Sequence, residues 1–559
     1  MGKPKRSSRG FSSPKHTALP QKQFDKLSAD FNAKEQQAIA LINQNKLQEA
    51  EAIYRDLIES GSNNHIIYGN LAAICGMQGR LDEVIEILKK TLHLKPNYPD
   101  AHNNLGNALK EKGHLNAAID AYNKALELEP YYSDAYYNLG NALKEKGDLN
   151  AAVDAYNKAL ELKPNYAAAH YNLGIALKEK GHLNAAIDAY NKAIELKPNY
   201  SDAHNNLGIA LTEKGKLSAA INSYNKALAL QPNCPETHWN YALTLLLDGD
   251  YKNGLAKYGW RFKREKDSTK LHATPNCKPW SDSKTLNQTN QLLLVTEQGL
   301  GDTLQFMRYA IALRNQSISI SLCAQPKLHS LIQASGIDPS PLTPAQANNI
   351  STWQWAPLLS IPHYLNVSPD NPIITEPYIK TKEELILKWK MILSAEKRPI
   401  IGINWQGNPR AEKSGLLGRS LPLETFSPIA HCCDAVFLSL QKGFGSEQLE
   451  TCSFKEHFVG CQPQVNETWD FLETAAIIAN CDLVITSDTS VAHLSGGMGQ
   501  TTWLLLKKVP DWRWGLEGET TFWYPSMRLF RQTQPGDWES LIQTVAAHTR
   551  EFFYSTTGN

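Results

Sequence analysis

"NYPDAHNNLGNALKEKGHLNAAIDAYNKALELEP", residues 97–130, carries apolar and small residues at helical spacing on both sides of Gly113 and closes on Pro130. A glycine between two helical patterns, with a proline ending the second, describes a helix, a turn and a helix. The unit recurs. Leu71, Leu105, Leu139, Leu173 and Leu207 stand 34 residues apart, as do Pro96, Pro130, Pro164, Pro198 and Pro232. A fixed period of this length marks a stacked array in which each unit buries its apolar face against the next. Gly106 and Ala118 let the two helices approach closely, and Tyr122 is expected to fill the gap between neighbouring units.

Weaker copies flank the strong ones. "LQEAEAIYRDLI" (47–58) keeps Ala50 and Tyr54, and "YKNGLAKYGWRF" (251–262) keeps Gly254 and Tyr258. Atypical outer copies suit the capping that a stacked array needs. Period, small positions and terminal proline together resemble the tetratricopeptide repeat, over residues 29–266 in about seven repeats. The resemblance implies an all-α superhelix with a concave binding face.

Asn70, Asn104, Asn138, Asn172, Asn206 and Asn240 occupy one equivalent position on the first helix of successive units. An amide both donates and accepts, so such a ladder can grip the backbone of an extended peptide without reading its sequence. The tetratricopeptide half of the O-GlcNAc transferases carries a similar ladder, and that resemblance implies a protein or peptide partner. A second column, Asn123, Asn157, Asn191 and Asn225, leaves open that these asparagines only record duplication of one unit.

Whole-chain properties narrow the classes. A net charge of +1 over 559 residues provides no electrostatic footprint for nucleic acid or an acidic membrane. Nine cysteines without C-x-x-C spacing favour reduced thiols and a cytoplasmic protein. No apolar run is long enough to span a bilayer. The opening 1–28 is basic and rich in Ser, Pro and Gly, and is expected to be a disordered tail. Asp248-Gly249-Asp250 falls in the turn of a late repeat and reads as turn chemistry, so no metal site is expected.

After a linker at 267–289 the pattern turns to alternating strands and helices. Strands are expected at 291–296, 317–323, 356–361, 399–405, 435–440, 482–487 and 501–506. "EKRPIIGINWQGNPR" looks like a fresh start, which divides the half into two Rossmann-like domains, 290–395 and 396–559. Ligands are expected beyond the carboxyl ends of the strands.

In "NCDLVITSDTSVAHLSGGMGQTTWLLL" (480–506) a strand runs into Asp488, and a helix begins. The N–H groups of Thr489, Ser490 and Val491 would then lie at a helix N-terminus suited to a phosphate, with His493 one turn along. Asp488 or Thr489 as a cap, and His493 as a core histidine, is the alternative. Upstream, "QLLLVTEQGLGDTLQF" (291–306) approaches a dinucleotide turn, but Leu304 stands where the third glycine would be.

Asp488-Thr489-Ser490-Val491-Ala492-His493-Leu494 resembles the Asp-Thr-x-x-x-His-Leu segment of the lipopolysaccharide heptosyltransferases, glycosyltransferase family 9. Gly301-Asp302 resembles the turn that opens their first domain. The resemblance implies a metal-independent GT-B glycosyltransferase that needs no cofactor besides its nucleotide-sugar donor. The first domain would face the acceptor and the second the donor. Asp302 becomes the catalytic base, while Gly301, Arg419, Asp488, Thr489, Ser490, Val491 and His493 hold the donor. Arg419 is the nearest counterpart of a basic residue in that family, and Lys413 competes for the role. The segment "VPDWRWGLEGETTFWYPSMRLFRQ" (509–532) resembles bacterial proteins that join repeats to a transferase-like domain. Its Trp512, Arg513, Trp514, Trp523 and Tyr524 either line the cleft or pack a loop.

Overall fold

The computed structural model describes residues 26–265, 269–280, 291–409, 412 and 418–556. The basic tail lies almost wholly outside the described residues, as do Lys413 and part of the linker. The chain divides into two compact units, Met1–Leu211 and Thr212–Asn559.

The first unit is all α. Antiparallel helix pairs such as Pro99–Glu111 with Leu115–Leu128, and Ser133–Lys146 with Leu149–Leu162, follow one another along the chain. Gly113 and Gly147 make their turns at φ of 79° and 91°, a region glycine enters without strain. Tyr122 packs on Gly106 of its own unit and shares one buried cluster with Ala135, Leu139 and Ala142 of the next, as expected of a residue between two units. A Cβ on Gly106 would come 2.5 Å from the Tyr122 ring, and the Tyr122 hydroxyl donates to Asn107 Oδ1 at 2.8 Å. The glycine of one helix and the tyrosine of the next face each other within a unit, and Tyr156 repeats the arrangement on Gly140.

A histidine lock escaped the sequence reading. His102, His170 and His204 each place Nε2 within 2.9, 2.9 and 3.0 Å of the carbonyl of Pro96, Pro164 and Pro198. A carbonyl only accepts, so each Nε2 carries the proton and ties the loop before a helix to that helix.

The second unit begins inside the repeats because the last helices are built into the α/β half. Tyr251 meets Phe522 at 5.4 Å, Trp512 at 6.1 Å and Trp523 at 6.2 Å between ring centres. Their burial in one continuous core sets the unit's start at Thr212 instead of at the linker.

Two open sheets follow, every strand pair parallel, as expected for α/β structure. The first contains β1 (Lys278–Pro279), β2 (Gln291–Val295), β3 (Ser319–Cys323) and β4 (Gln354–Pro357), in the order β1-β4-β2-β3. The second contains β5 (Ile400–Asn404), β6 (Val436–Ser439), β7 (Leu483–Ser487), β8 (Thr502–Leu506) and β9 (Met527–Arg531), in the order β6-β5-β7-β8-β9. In each sheet the winding reverses beside an inner strand, between β2 and β4 and between β5 and β7. Such switch points leave a crevice at the carboxyl ends of the strands. The two-residue β1 and the tail strand β9 were absent from the expected set.

Candidate functional site

The switch point of the second sheet is crowned by amides. Asn404, at the end of β5, donates to Gln441 Oε1 at 2.9 Å, and Gln441 Nε2 donates to the carbonyl of Gln406 at 3.0 Å. Thr489 Oγ1 donates to Asn404 Oδ1 at 2.8 Å. The Thr489 hydroxyl is therefore turned back to the sheet, and the reading of Thr489 as an anion contact rests on its N–H alone.

That turn has a consequence for the helix Ser490–Gly497. Thr489 stands at the N-cap position with extended backbone, yet no side chain caps the helix. Asn64, Asp148, Asp250, Thr343 and Asp470 cap theirs, while many other helices start, like this one, without a side-chain cap. An uncapped first turn leaves backbone N–H groups without side-chain partners. Arg419 lies at the same place. It donates from Nη1 to the carbonyl of Asp488 at 3.1 Å, with Glu412 Oε1 3.6 Å from its Nε. Gly407 makes room, since a Cβ there would sit 2.5 Å from the guanidinium. Glycine at that spot was the available sequence signal for Arg419's position.

Burial, followed by the neighbouring Asp511, raises the Asp488 carboxyl from 3.8 to about 6, against the pull of Arg419 and Arg513. His493 is buried, and burial together with Arg513, Arg308 and Arg419 pushes its imidazole well below its ordinary value. Its Nδ1 lies 2.9 Å from the Tyr524 hydroxyl, and its ring stacks on Trp514 at 5.5 Å. A neutral, packed imidazole offers no positive charge to an anion, which corrects the expectation that it faces one.

Asp302 lies in the first turn of the helix Leu300–Phe306, which starts on the N-cap Gly299. Its Oδ2 accepts the Gly299 N–H at 2.9 Å, and its Oδ1 accepts from Arg513 Nη2. Arg513 also donates to Asp511 Oδ1 at 2.8 Å and to Gln305 Oε1 at 2.6 Å. Burial raises the Asp302 carboxyl, with the Arg513 charge opposing. Gly301 was expected among the residues that hold the donor. Its open side instead meets the second helix, since a Cβ there would lie 2.9 Å from His493 Cδ2 and 3.4 Å from Ser490 Cα. The structure thus brings Asp302, Gly301, Asp488, Ser490 and His493 together, as two helix N-termini packed close to one another. Trp512, Arg513, Trp514, Trp523 and Tyr524 are all buried around them.

The asparagine ladder is half-buried and partly spent on the fold. Asn138 Nδ2 donates to Asn103 Oδ1 at 3.0 Å, and Asn206 Nδ2 to the Tyr171 hydroxyl at 2.9 Å. Asn172 Nδ2 donates to the Tyr137 hydroxyl at 3.0 Å and to Asn141 Oδ1 at 2.8 Å. Asn70 is buried on Tyr54, while Asn104 and Asn240 also have partners. Both amide protons of Asn172 are committed, so only its oxygen remains for a peptide. A cavity of about 470 Å³ opens beside it, lined by Lys110, Asn141, Lys144, Glu145, Asn172 and Glu179. Burial, with Lys110 close by, lowers the Lys144 ammonium, and Glu179 opposes the effect.

Among the described residues no group of three or more His, Cys, Asp or Glu side chains is placed to hold a metal ion. Nor is any helix among them long and apolar enough to cross a membrane.

A family model described as "TPR repeat" matches residues 77–113, 106–147, 140–181, 176–212 and 210–249. The helical array is thus built of tetratricopeptide repeats. The chain is similar to Protein FlbA of Caulobacter vibrioides, at 30% identity over 159 residues. That likeness covers 28% of this chain and spans 25% of the relative's length. Among solved structures, YrrB, described as "a TPR protein with an unusual peptide-binding site", is 26% identical, covering 33% of this chain and 95% of that one at a TM-score of 0.30. A MamA crystal structure is 32% identical over 29% of this chain and 95% of its own, at a TM-score of 0.28.

Proposed function

We propose that the repeats hold a protein or peptide while the α/β half, a GT-B glycosyltransferase by this reading, moves a sugar from a nucleotide diphosphate sugar onto a hydroxyl of that partner. The observation that supports it most is the uncapped N-terminus of Ser490–Gly497 with Arg419 beside it, at the switch point of a doubly wound sheet. A departing diphosphate would be stabilised there as its charge develops. The acceptor oxygen would attack the anomeric carbon, the bond to the diphosphate would break, and Asp302 would take the hydroxyl proton. General-base help of this kind contributes about 10²–10⁴-fold. Asp302 would first have to exchange Arg513 for the substrate, because both its oxygens are engaged. Nine unpaired cysteines suit a reducing cytoplasm as the setting.

That same pairing favours a second reading, a scaffold whose α/β half binds a ligand without turnover. A screen for donor hydrolysis and transfer across common nucleotide sugars separates the two. The enzyme reading expects turnover with one donor, a fall of about 10²-fold or more in Asp302→Asn, and a raised donor KM in Arg419→Met. Tight peptide binding by the full chain with no turnover of any donor decides for the scaffold.

A further inference from the structure

We propose that Cys432 and Cys433, consecutive in the turn before β6, form a redox-modifiable dithiol that exchanges with low-molecular-weight disulfides, Cys432 attacking and Cys433 resolving. The site is independent of the reading above. Its turn enters β6 at the amino end, whereas the switch-point crevice opens at the carboxyl ends of the strands.

Local backbone sets the placement. Consecutive side chains of an extended chain point to opposite faces, so neighbouring thiols meet only where the chain turns. Here the short helix Ser427–Ala430 winds down into such a turn, with the His431 N–H on the Ser427 carbonyl and the Cys432 N–H on the Ile429 carbonyl, both at 3.3 Å. The two Sγ atoms come to lie 3.7 Å apart, and Cys432 Sγ is 3.2 Å from the Ile429 carbonyl. Both side chains pack against the core of the second sheet, which holds them in place. Both are half-buried and unpaired, between the exposed His431 and Asp434, so a small reagent can reach them.

The contact gives the two thiols different roles. A thiolate at Cys432 accepts the S–H of Cys433, which lowers the Cys432 thiol against the effect of burial; the same bond, with burial, raises Cys433. Cys452 and Cys461 are also half-buried, and burial raises both. The thiolate is the nucleophile, so Cys432 attacks one sulfur of a small disulfide: a Cys432–S–S–R bond forms, the R–S–S–R bond breaks, and one thiolate leaves. With Cys432 capped, the interaction that held the proton on Cys433 is gone. Cys433 then gives its proton to solvent and attacks the Cys432 sulfur, the Cys432–Cys433 bond forms, and the second thiolate leaves. The pair is oxidised by two electrons and the small disulfide is reduced to two thiols. Neighbouring Cα atoms stand about 3.8 Å apart, short of the span of about 4.4–6.8 Å that disulfides prefer, so the product is readily reduced again.

Timed incubation of the full chain with oxidised glutathione, followed by an acid quench, digestion and peptide mass spectrometry, tests the assignment. In wild type the peptide carrying Cys432 and Cys433 should lose two hydrogens and keep no glutathione, about tenfold sooner than Cys452 or Cys461 is modified. Reduced glutathione should restore the dithiol. Cys433→Ser should retain glutathione on Cys432, and Cys432→Ser should leave Cys433 about tenfold slower to react than Cys432 is in wild type. Glutathione retained on Cys432 in wild type overturns the resolving role of Cys433. Modification of the pair no sooner than that of Cys452 overturns the site, and an equally fast reaction of Cys433 in Cys432→Ser overturns Cys432 as the attacking thiol. The wild-type measurement needs no substitution, so the proposal stays open to refutation even where a variant folds poorly.

Discussion

The two sheets share a winding plan but treat their crevices in opposite ways. At the first switch point the crevice is filled from within the chain. Arg261, from the last turn of the repeats, reaches Glu297 just beyond β2 with Nε and Nη2 at 2.9 and 2.7 Å, and both side chains are wholly buried. Glu297 Oε1 also accepts the Leu359 N–H at 3.2 Å, and Arg261 Nη2 reaches Ser360 Oγ at 2.9 Å. At the second switch point Asn404, Gln441 and Thr489 stand in place of a buried ion pair. The helix there is uncapped, a serine hydroxyl is orphaned, and one carboxyl titrates near 6. A crevice closed by a paired charge serves the fold, whereas the one left with unmet donors is where the proposed nucleotide-sugar donor is assigned.

Glu297→Ala probes the closed crevice and should have the largest effect. An unpaired Arg261 left in the core costs about 3–5 kcal/mol. Replacing the pair together, Arg261→Met with Glu297→Leu, should recover most of that loss, because the desolvation of both charges disappears. All thirteen tryptophans lie after Thr212, so tryptophan fluorescence during urea unfolding reports this unit alone. Full stability of Glu297→Ala would show that the first crevice is not sealed by this pair.

Asp488 probes the open one. Its folded-state value of about 6, against 3.8, means the folded chain holds that proton more tightly than the unfolded chain does. The stability it contributes is present below pH 3.8 and is lost as pH rises through about 6, a span of about 3 kcal/mol. Wild type should therefore lose stability relative to Asp488→Asn between pH 4 and 7. Parallel stability curves for the two proteins would remove this carboxyl from the site's electrostatics.

Gly301→Ala acts where the two helix ends meet. The added methyl would press on His493, at a cost of about 1–3 kcal/mol, read by the same fluorescence. Asn172→Ala, in the array, should cost about 1 kcal/mol by breaking its bond to the Tyr137 hydroxyl. Far-UV circular dichroism follows that loss, and the tryptophan transition should not move. A tryptophan shift in Asn172→Ala would mean that the two units do not unfold separately.

Much of this architecture was legible. Gly113, Pro130 and the leucine column describe a repeat because each unit folds through contacts within about 34 residues. The helix after Asp488 was readable for the same reason, as an apolar strand, a polar turn and a glycine-closed helix in succession. What failed did so for identifiable causes. β9, "MRLFR", has two arginines among three apolar residues at the edge of its sheet and does not stand out as a buried run. Thr489 has the side chain of a cap, and only Asn404, 85 residues upstream, diverts it. The tail aromatics are consistent with either a cleft lining or a core when read alone, and the structure buries them.

The sequence by itself determined the repeat period, the change to α/β structure and the two strand-to-helix turns at 299–302 and 487–490. All of these are local, and local patterns leave a periodic trace. Tertiary structure alone decided that Arg261 closes the first crevice, 36 residues from Glu297. It also decided that Asp302 pairs with Arg513, 211 residues away. Pairings between distant elements leave no periodicity to read. They form only when separate elements pack and burial makes an unpaired charge too costly to leave.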